Sequence, residues 1–416
     1  MKVYLRTFGC RANQYDTETV RAMVEEGGHE IVARAGEADI AVFNSCAVTA
    51  DAEAELRKSV RRAARERPAL RTIVMGCASA LDESRAAPLQ IKNLPSVERV
   101  VAGADFVQIA MALELDPGAA TLRASVQSGT RALLRIQDGC DEHCTFCATT
   151  MARGANRSRS VEELVAEAER LAERHSEIVI TGIHIGSFGS DIDSSLGALM
   201  ERLVVSVPGV RFRLSSIEAT EIDGALAELL VGAPMHLAPH VHAPLQSGSD
   251  RLLKRMGRNW YTSATYSSAL DRLVRRAGVF GLGADVITGF PGETDSDHAA
   301  TVALVERLPF TYLHVFPYSP RPGTAAERLP EAVTPAVAQG RAAELREIAA
   351  RKNAAHVSAR HGQAADVIVV GEGAARQALT GDYLFADLET SSAARGDRFT
   401  GHLHVEGERL YCRMPS

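Results

Sequence analysis

The chain has 416 residues, of which 46% are hydrophobic and 24% are charged, and its formal net charge is -6 at pH 7. This composition excludes a disordered or fibrous protein and predicts several globular domains. The net negative charge excludes a molecule that binds polyanions with its whole surface, so any nucleic-acid interface must be a local basic patch.

The N-terminus, MKVYLRTFGC, has no apolar signal-peptide core, and no apolar run in the sequence is long enough to span a bilayer. We therefore expect a soluble, cytoplasmic protein. Seven cysteines are too few for a disulfide scaffold in a chain of this length, and their number is odd. Reduced thiols that bind metal fit this pattern better.

The first hundred residues alternate strand and helix signals. KVYLRTF (2–8), DIAVFNS (39–45) and TIVMG (72–76) are typical of short buried strands, and a helical pattern runs from about Tyr15 to Gly27 and again over 50–67. This alternation predicts a small α/β domain with a parallel sheet over residues 1–113.

A polar stretch near 114–130 resembles a linker, and the alternation then restarts. The six strand candidates are RALLRIQ, EIVITGIHIG, VRFRLSSIE, HLAPHVHAPLQ, VFGLGADVITGF and FTYLHVFPYS. With the helices between them they predict a partial (β/α)6 barrel over 130–360, which includes a last helix at about 335–360. Residues 361–416 have short strands and glycines, which predicts a small all-β barrel.

A CxxxCxxC pattern, formed by Cys140, Cys144 and Cys147, directly follows the first barrel strand. Three thiolates in one loop can hold three irons of a four-iron, four-sulfur cluster and leave the fourth iron open to a small molecule. The alternative is a zinc site that is completed by a distant fourth ligand such as His143.

Three further cysteines, Cys10, Cys46 and Cys77, each follow one of the three N-terminal strands. The carboxyl ends of parallel strands meet at one edge of a sheet, so these thiols are predicted to converge on a second cluster. Glycines beside them, Gly9 and Gly76, would let the backbone approach a bulky ligand. The alternative is three buried apolar cysteines, which is a common role for a free thiol.

The cysteine loop, with Phe146 before its last cysteine, resembles the cluster motif of the radical S-adenosylmethionine (SAM) superfamily. The domain order and the blocks FGCRANQYDTE, FNSCAVT, TGIHIGSFG, LSSIE, HAPLQSGSDRLLKRM and DVITGFPGET are similar to those of the methylthiotransferases. HVFPYSPRPGT is most similar to the bacterial branch that acts on N6-threonylcarbamoyladenosine in tRNA. Sister branches modify isopentenyladenosine in tRNA or an aspartate of a ribosomal protein.

This resemblance implies two 4Fe-4S clusters and two molecules of SAM. One SAM would give the methyl group to a sulfur of the auxiliary cluster at Cys10, Cys46 and Cys77. The other would be cleaved at the Cys140, Cys144 and Cys147 cluster to give the radical that removes hydrogen from carbon 2 of the adenosine. A low-potential electron donor such as flavodoxin or ferredoxin is implied as well.

The residues that the resemblance places near SAM are Phe146, Thr181, Gly182, His184, Arg213, Ser215 and Gln246. For those on barrel strands, the alternative is packing or hydrogen bonding inside the barrel. No catalytic side chain is singled out. Where the family usually has a proline and an aromatic residue after the third cysteine, this chain has Thr150 and Met151, which puts the stiffness of the loop or a substrate contact in question.

Two arginine groups are candidates for tRNA contacts: Arg153, Arg157 and Arg159 after the cysteine loop, and Arg57 and Arg61 on the helix after Cys46. A solvated helix face is the alternative for the second group. The terminal module resembles the TRAM domain, an RNA-binding β-barrel, but acidic residues outnumber its arginines, so we expect a small contribution. A non-catalytic metal-dependent RNA-binding protein is the competing functional class.

Overall fold

The computed structural model describes residues 1–47, 50–82, 89–118, 127–389 and 392–414, so residues 119–126 of the predicted linker lie outside the described residues. The chain forms two compact units. The first comprises Met1–Ser125, Gln137–Arg157 and Ser319–Arg328, and the second comprises Val126–Ile136, Ser158–Tyr318 and Leu329–Ser416. The CxxxCxxC loop therefore belongs to the same unit as the three N-terminal cysteines. Among the described helices, none combines the length and apolarity needed to cross a membrane.

The N-terminal part of the first unit is built on a five-stranded parallel sheet. Its strands are β1 (Lys2–Thr7), β2 (Glu30–Val32), β3 (Ile40–Ser45), β4 (Arg71–Gly76) and β5 (Val97–Val100), in the order β2-β1-β3-β4-β5. Its helices are α1 (Arg11–Glu26), α2 (Ala50–Glu66), α3 (Cys77–Asp82) and α4 (Phe106–Ala112). The predicted parallel α/β fold is confirmed, although the sequence analysis missed the short strands β2 and β5.

Both faces of this sheet are covered, which explains why its central strands are continuous apolar runs. On one face Phe43 of β3 packs in a core with Leu56 of α2, and on the other face Val42 packs with Met23 of α1. The strand β3 is buried along its whole length. Because β3 lies between β1 and β4, the loops that follow these three strands start side by side.

After β6 (Ala132–Arg135) the chain forms the cysteine loop. The loop begins with the short strand β7 (Gln137–Asp138), contains the helix α5 (Thr149–Arg153) and ends at the short strand β8 (Arg157–Ser158).

The second unit contains the predicted partial barrel. Its further strands are β9 (Glu177–Thr181), β10 (Arg211–Leu214), β11 (His240–His242), β12 (Gly281–Thr288) and β13 (Tyr312–Pro317). Its helices are α6 (Val161–Ala172), α7 (Leu196–Ser206), α8 (Gly224–Gly232), α9 (Asp250–Arg255), α10 (Ser263–Arg276), α11 (Asp295–Arg307) and α12 (Pro335–Ala359). All strand pairs are parallel, and the bridges Phe212–Leu237 and Ser216–His242 connect the β6-β9-β10 sheet to the β11-β12-β13 sheet. The (β/α)6 prediction is confirmed.

The barrel helices begin at polar residues that cap them. Ser160, Ser195, Asp223, Thr262 and Thr294 each accept a hydrogen bond from the backbone N–H three residues later. These caps satisfy N–H groups that a helix start leaves without a partner.

The last part of the second unit is a closed barrel of mostly antiparallel strands, which confirms the predicted all-β module. Its strands are β14 (Ala364–Val370), β15 (Gln377–Thr380), β16 (Phe385–Leu388), β17 (Arg398–Glu406) and β18 (Arg409–Arg413), in the closed order β14-β15-β16-β18-β17. Closure removes the exposed strand edges that would otherwise invite association.

A buried ion cluster connects this small barrel to strands β9 and β10. Glu177 of β9 is fully buried, and its carboxylate accepts hydrogen bonds from Arg211 Nε at 2.6 Å and Arg213 Nε at 2.9 Å. Arg211 also pairs with Asp366 of β14 at 2.8 Å. Burial by itself raises the pKa of Glu177, but Arg211 and Arg213 outweigh it and hold that pKa well below its ordinary value.

We expect Glu177→Gln to lower the free energy of unfolding by about 2–3 kcal/mol, because the buried guanidinium groups of Arg211 and Arg213 lose the charge of Glu177 while Arg211 keeps that of Asp366. Urea unfolding measures this loss. The folded pKa of Glu177 is depressed, so its contribution is present above the unfolded-state pKa of about 4.3 and is lost as the pH falls. The difference in free energy of unfolding between wild type and variant should therefore become smaller below about pH 4. Glu228→Gln, which breaks the exposed pair with Arg276, is the control that should leave stability unchanged.

Candidate metal centres

The thiols of Cys10, Cys46 and Cys77 converge at the start of α1. Each residue follows one of the three adjacent strands β1, β3 and β4. The Sγ atoms of Cys10 and Cys77 lie 3.9 Å and 3.8 Å from the same atom, Asn13 Oδ1. Gly9 has a φ of 95°, and a Cβ there would lie 2.4 Å from Cys46 Sγ, so only glycine lets the backbone pass this thiol. The predicted convergence of the three cysteines is what the sheet produces.

Asn13 organises this edge of the sheet, although no motif in the sequence marks it as a site residue. Its side chain is buried, and its Nδ2 donates to the carbonyls of Phe8 at 2.9 Å and Ser45 at 2.8 Å. Both carbonyls lie just before a cysteine of the set. The available signal was a polar side chain in the first turn of a helix, three residues after Cys10.

Arg153, at the end of α5, contacts the same place from the CxxxCxxC loop. Its Nη2 donates to Asn13 Oδ1 and to Asp16 Oδ2, both at 2.7 Å. Its Nε donates to Cys77 Sγ at 3.4 Å, and its Nη1 donates to Asp138 Oδ1 at 3.2 Å. Only 2% of the side chain is exposed. This corrects the prediction that Arg153 contacts tRNA, because its guanidinium is buried and already paired with two carboxylates.

The environment of Cys77 suits a thiolate that has a cation beside it. Burial raises the pKa of the Cys77 thiol to about 11, and the neighbouring Arg153 guanidinium opposes that shift. Metal binding requires the thiolate, so an iron would add to the positive charge of Arg153 and favour deprotonation of the buried thiol. Three converging thiols and a buried donor fit an iron–sulfur cluster with three protein ligands.

The CxxxCxxC loop is held folded by backbone contacts. Cys140 N donates to Gly154 O at 3.0 Å, and Cys147 N donates to Cys144 O at 3.1 Å. A Cβ at Gly139 would lie 1.9 Å from Ala155 O, so the glycine permits the two ends of the loop to meet. The three thiols are half-buried, and Cys147 Sγ accepts a hydrogen bond from Thr149 N at 3.3 Å. Hydrogen bonds to sulfur of this kind tune cluster-bound thiolates, so this loop also fits a cluster.

Thr150 and Met151, which stand where the family usually has a proline and an aromatic residue, lie in the helix α5. Ala148 and Ala152 pack against the apolar core of the N-terminal sheet, while Met151 is exposed. The loop after Cys147 is therefore anchored by packing and by Arg153.

Five of the predicted SAM-binding residues lie just beyond or at the carboxyl ends of barrel strands in the second unit. Thr181 ends β9 and is followed by Gly182 and His184, Ser215 follows β10, and Gln246 follows β11. His184 Nε2 lies 2.8 Å from a carboxylate oxygen of Glu221. This end of a barrel is where enzymes of this architecture bind ligands. Contact with SAM stays a prediction for these residues and for Phe146, which is half-buried in the cysteine loop.

Arg213 lies within the buried strand β10 and not beyond its end, which corrects the prediction that Arg213 contacts SAM. All its guanidinium nitrogens are used: Nε by Glu177, Nη1 by Gly381 O at 2.9 Å, and Nη2 by Glu177 and by Thr380 O at 2.9 Å. The side chain is fully buried. Its role is to bind the terminal barrel to β10.

The remaining arginines proposed for tRNA differ in how accessible they are. Arg157 is 60% exposed, and its Nη2 lies 3.7 Å from an Asp138 oxygen. Arg159 is 18% exposed and pairs with Glu167 at 2.7 Å, which makes a phosphate contact less available to it. On α2, Arg61 is exposed and Arg57 is half-buried.

Two family models match the sequence. The description "Uncharacterized protein family UPF0004" matches residues 2–97, and the radical SAM superfamily matches residues 134–305. The first match covers the three N-terminal cysteines, and the second covers the CxxxCxxC loop.

Curated relatives match most of the chain. A protein of Thermotoga maritima named threonylcarbamoyladenosine tRNA methylthiotransferase MtaB is 35% identical over 79% of this chain and 77% of its own length. The Bacillus subtilis protein of the same name is 36% identical over 80% and 76%. A Sorangium cellulosum protein named tRNA-2-methylthio-N(6)-dimethylallyladenosine synthase is 33% identical over 88% and 81%.

Solved structures share the fold at low sequence identity. The radical SAM methyltransferase TsrM of Kitasatospora setae, bound to tryptophan and a SAM analogue, superposes with a TM-score of 0.56 at 16% identity, over 76% of this chain and 72% of that one. The cobalamin-dependent SAM radical enzyme OxsB gives a TM-score of 0.51 at 15% identity, over 78% and 54%.

Proposed function

We propose that this chain, which belongs to the radical SAM methylthiotransferase family, adds a methylthio group to carbon 2 of N6-threonylcarbamoyladenosine in the anticodon loop of tRNA. The observation that carries the proposal is that two sets of three cysteines lie in one compact unit. A methylthio transfer needs a site that generates a radical and a site that supplies sulfur, and each set of thiols suits one of them.

Membership of the radical SAM superfamily implies SAM and a 4Fe-4S cluster. We assign that cluster to Cys140, Cys144 and Cys147, and we assign a second to Cys10, Cys46 and Cys77. When bound, the first would supply the electron that cleaves SAM, and the second would supply the sulfur. The second assignment is supported by the convergence of its thiols on Asn13.

The chain's own residues would orient the sulfur-donor site, in which Cys46 and Cys77 are buried and Cys10 is exposed. Asn13 fixes the two backbone segments that lead to Cys10 and Cys46. Arg153 donates to Cys77 from a position that solvent hardly reaches. Buried, preorganised side chains such as Asn13 and Arg153 hold a reactive group without reorganising during the reaction.

The partners follow from the same assignment. A low-potential donor such as flavodoxin or ferredoxin would reduce the SAM-cleaving cluster. A tRNA substrate and reduced clusters both suit the cytoplasm, the compartment that the sequence predicts.

For the tRNA we propose contacts from Arg61, Arg57 and Arg157, which are exposed or half-buried. The arginines of the terminal barrel contribute less, because they are paired within the second unit. These pairs are Arg395 with Glu372, Arg398 with Asp366, Arg409 with Asp387 and Arg413 with Glu389. Paired charges attract phosphate weakly.

The choice of substrate rests on two findings. The relatives named for threonylcarbamoyladenosine are 35% and 36% identical, and HVFPYSPRPGT resembles their branch. A threonyl carboxylate on the base would favour a nearby arginine, and the exposed Arg157 next to the cysteine loop is a candidate.

Anaerobically reconstituted protein should add methylthio to an anticodon-loop RNA that carries threonylcarbamoyladenosine. The isopentenyl form should react at least about ten-fold more slowly, because its apolar group cannot form a charge-assisted pair. Nucleoside mass spectrometry measures both products. A ribosomal-protein peptide with an aspartate acceptor is tested as the third candidate substrate. Faster reaction of either competing substrate would contradict the substrate assignment. Absence of SAM cleavage in every arm would contradict the chemistry.

A further inference from the structure

Three potential metal ligands lie side by side on the last three strands of the partial barrel. His242 is on β11, Asp285 on β12 and His314 on β13, and Asp285 and His314 are paired directly in the sheet. Their strand neighbours Val241 and Val315 pack in the apolar core. Side chains alternate between the two faces of a strand, so the three polar side chains share the face opposite to that core.

The spacing of the three side chains is that of neighbouring ligands on one metal ion. His242 Nε2 lies 3.1 Å and His314 Nδ1 lies 3.3 Å from the same oxygen, Asp285 Oδ1. One ligand atom from each residue lies within 4.8 Å of the others. Ligands bound at about 2.1 Å and separated by about 90–110° lie roughly 3.0–3.4 Å apart, so small movements would admit an ion between them.

The first histidine also has the outer partner that metal-binding histidines usually have. His242 Nδ1 lies 3.0 Å from the Tyr312 hydroxyl, which lies 2.8 Å from His240 Nε2. This chain is consistent with a proton on His242 Nδ1, which leaves Nε2 as a lone-pair donor. Gly283 makes the arrangement possible, because a Cβ there would lie 2.1 Å from the Tyr312 ring.

The charge and the accessibility of the group also suit a cation. An aspartate carboxylate is ordinarily ionised at neutral pH, so the trio offers one anionic ligand beside two imidazoles. The side chain of His314 is 54% exposed while that of His242 is 9% exposed, so an ion can enter from one side and keep open coordination positions.

We propose that His242, Asp285 and His314 form a site for a divalent first-row transition metal, of the Fe2+ class, whose ligands are distinct from the six cluster cysteines. Two histidines and one carboxylate that leave open positions are the ligand set of mononuclear iron(II) sites. The ion would keep positions for water or for an oxygen ligand such as a carboxylate. The competing explanation is a hydrogen-bonded trio that binds no metal.

The test uses the cluster-loaded full chain and Mn2+, an ion that prefers oxygen and nitrogen to thiolate ligands. Titration followed by the electron paramagnetic resonance of free Mn2+ should show one bound ion per chain. Asp285→Asn and His314→Ala should each weaken binding at least about ten-fold, and Tyr312→Phe should weaken it about 10–100-fold through the loss of the outer partner. If Asp285→Asn does not fold because Asp285 is the more buried residue, the result for His314→Ala decides the test.

His404→Ala is the matched control, because that histidine also lies 3.0 Å from a carboxylate oxygen, of Glu389, but outside the trio. It should bind Mn2+ like wild type. No binding by wild type, or binding that the Asp285 and His314 variants retain, would overturn the proposal. Since the readout is binding of Mn2+ and not methylthio transfer, a negative result leaves the proposed function standing.

Discussion

Arg153→Ala should remove the iron of the auxiliary site and lower the free energy of unfolding of the iron-free chain by about 3–5 kcal/mol. The variant leaves Asp16, which is fully buried, without its counter-ion, and it removes the donor to Cys77. Breaking one side of a buried ion pair is costly because the other charge stays in a region of low dielectric. Iron-to-protein ratio and urea unfolding measure the two effects separately.

Arg157→Ala is the matched control for this prediction. Arg157 lies four residues later, its side chain is 60% exposed, and it approaches the same Asp138. We expect normal iron content and a change in stability of less than about 0.5 kcal/mol. Arg153→Lys should give an intermediate result, since an ammonium keeps the charge but cannot reach four partners with a planar fork.

The outcome distinguishes the structural role of Arg153 from the tRNA role that the sequence predicts. A residue that only contacts phosphate would give weaker tRNA binding, a salt dependence reduced by about one unit, and an unchanged iron content. A residue that positions the auxiliary site would change the reduction potential or the iron content of that site before tRNA is added. Normal iron and normal stability in Arg153→Ala would refute the positioning role.

Local pattern was enough to predict that the cysteines of each set lie close together. Each of Cys10, Cys46 and Cys77 ends a short apolar run, and parallel pairing then brings the three together without further information. The CxxxCxxC set lies within one loop, so its convergence needs only the local chain.

The arginines show where the sequence stops being informative. Arg153 pairs with Asp16, 137 residues earlier, and Arg213 donates to Gly381 O, 168 residues later. Periodicity carries no information about such partners, because each partner is set by how distant segments pack. A weak signal existed at β10, where Arg211 and Arg213 alternate with apolar residues and so share one face of a buried strand. Arginines placed that way require a buried acid, which is Glu177.

Replacing Cys140, Cys144 and Cys147 together by Ala should abolish reductive cleavage of SAM and leave about half of the iron. The remaining iron would be at the auxiliary site, whose three thiols are unchanged. The measurements are iron per chain and the 5'-deoxyadenosine formed under dithionite. Cys412→Ala is the control, because that thiol is buried inside the terminal barrel and should hold no iron.

The reciprocal variant, with Ala at Cys10, Cys46 and Cys77, should keep SAM cleavage and lose methylthio transfer completely. Only the proposed sulfur-donor site is removed, while the CxxxCxxC loop keeps its backbone contacts. Arg153 connects the two proposed sites, because it lies six residues after Cys147 and donates to Cys77. If the two sites are coupled through this arginine, the reciprocal variant should cleave SAM with an altered rate and potential, and Arg153→Ala should reproduce that alteration. Methylthio transfer at the wild-type rate would show that the three N-terminal cysteines hold no sulfur donor.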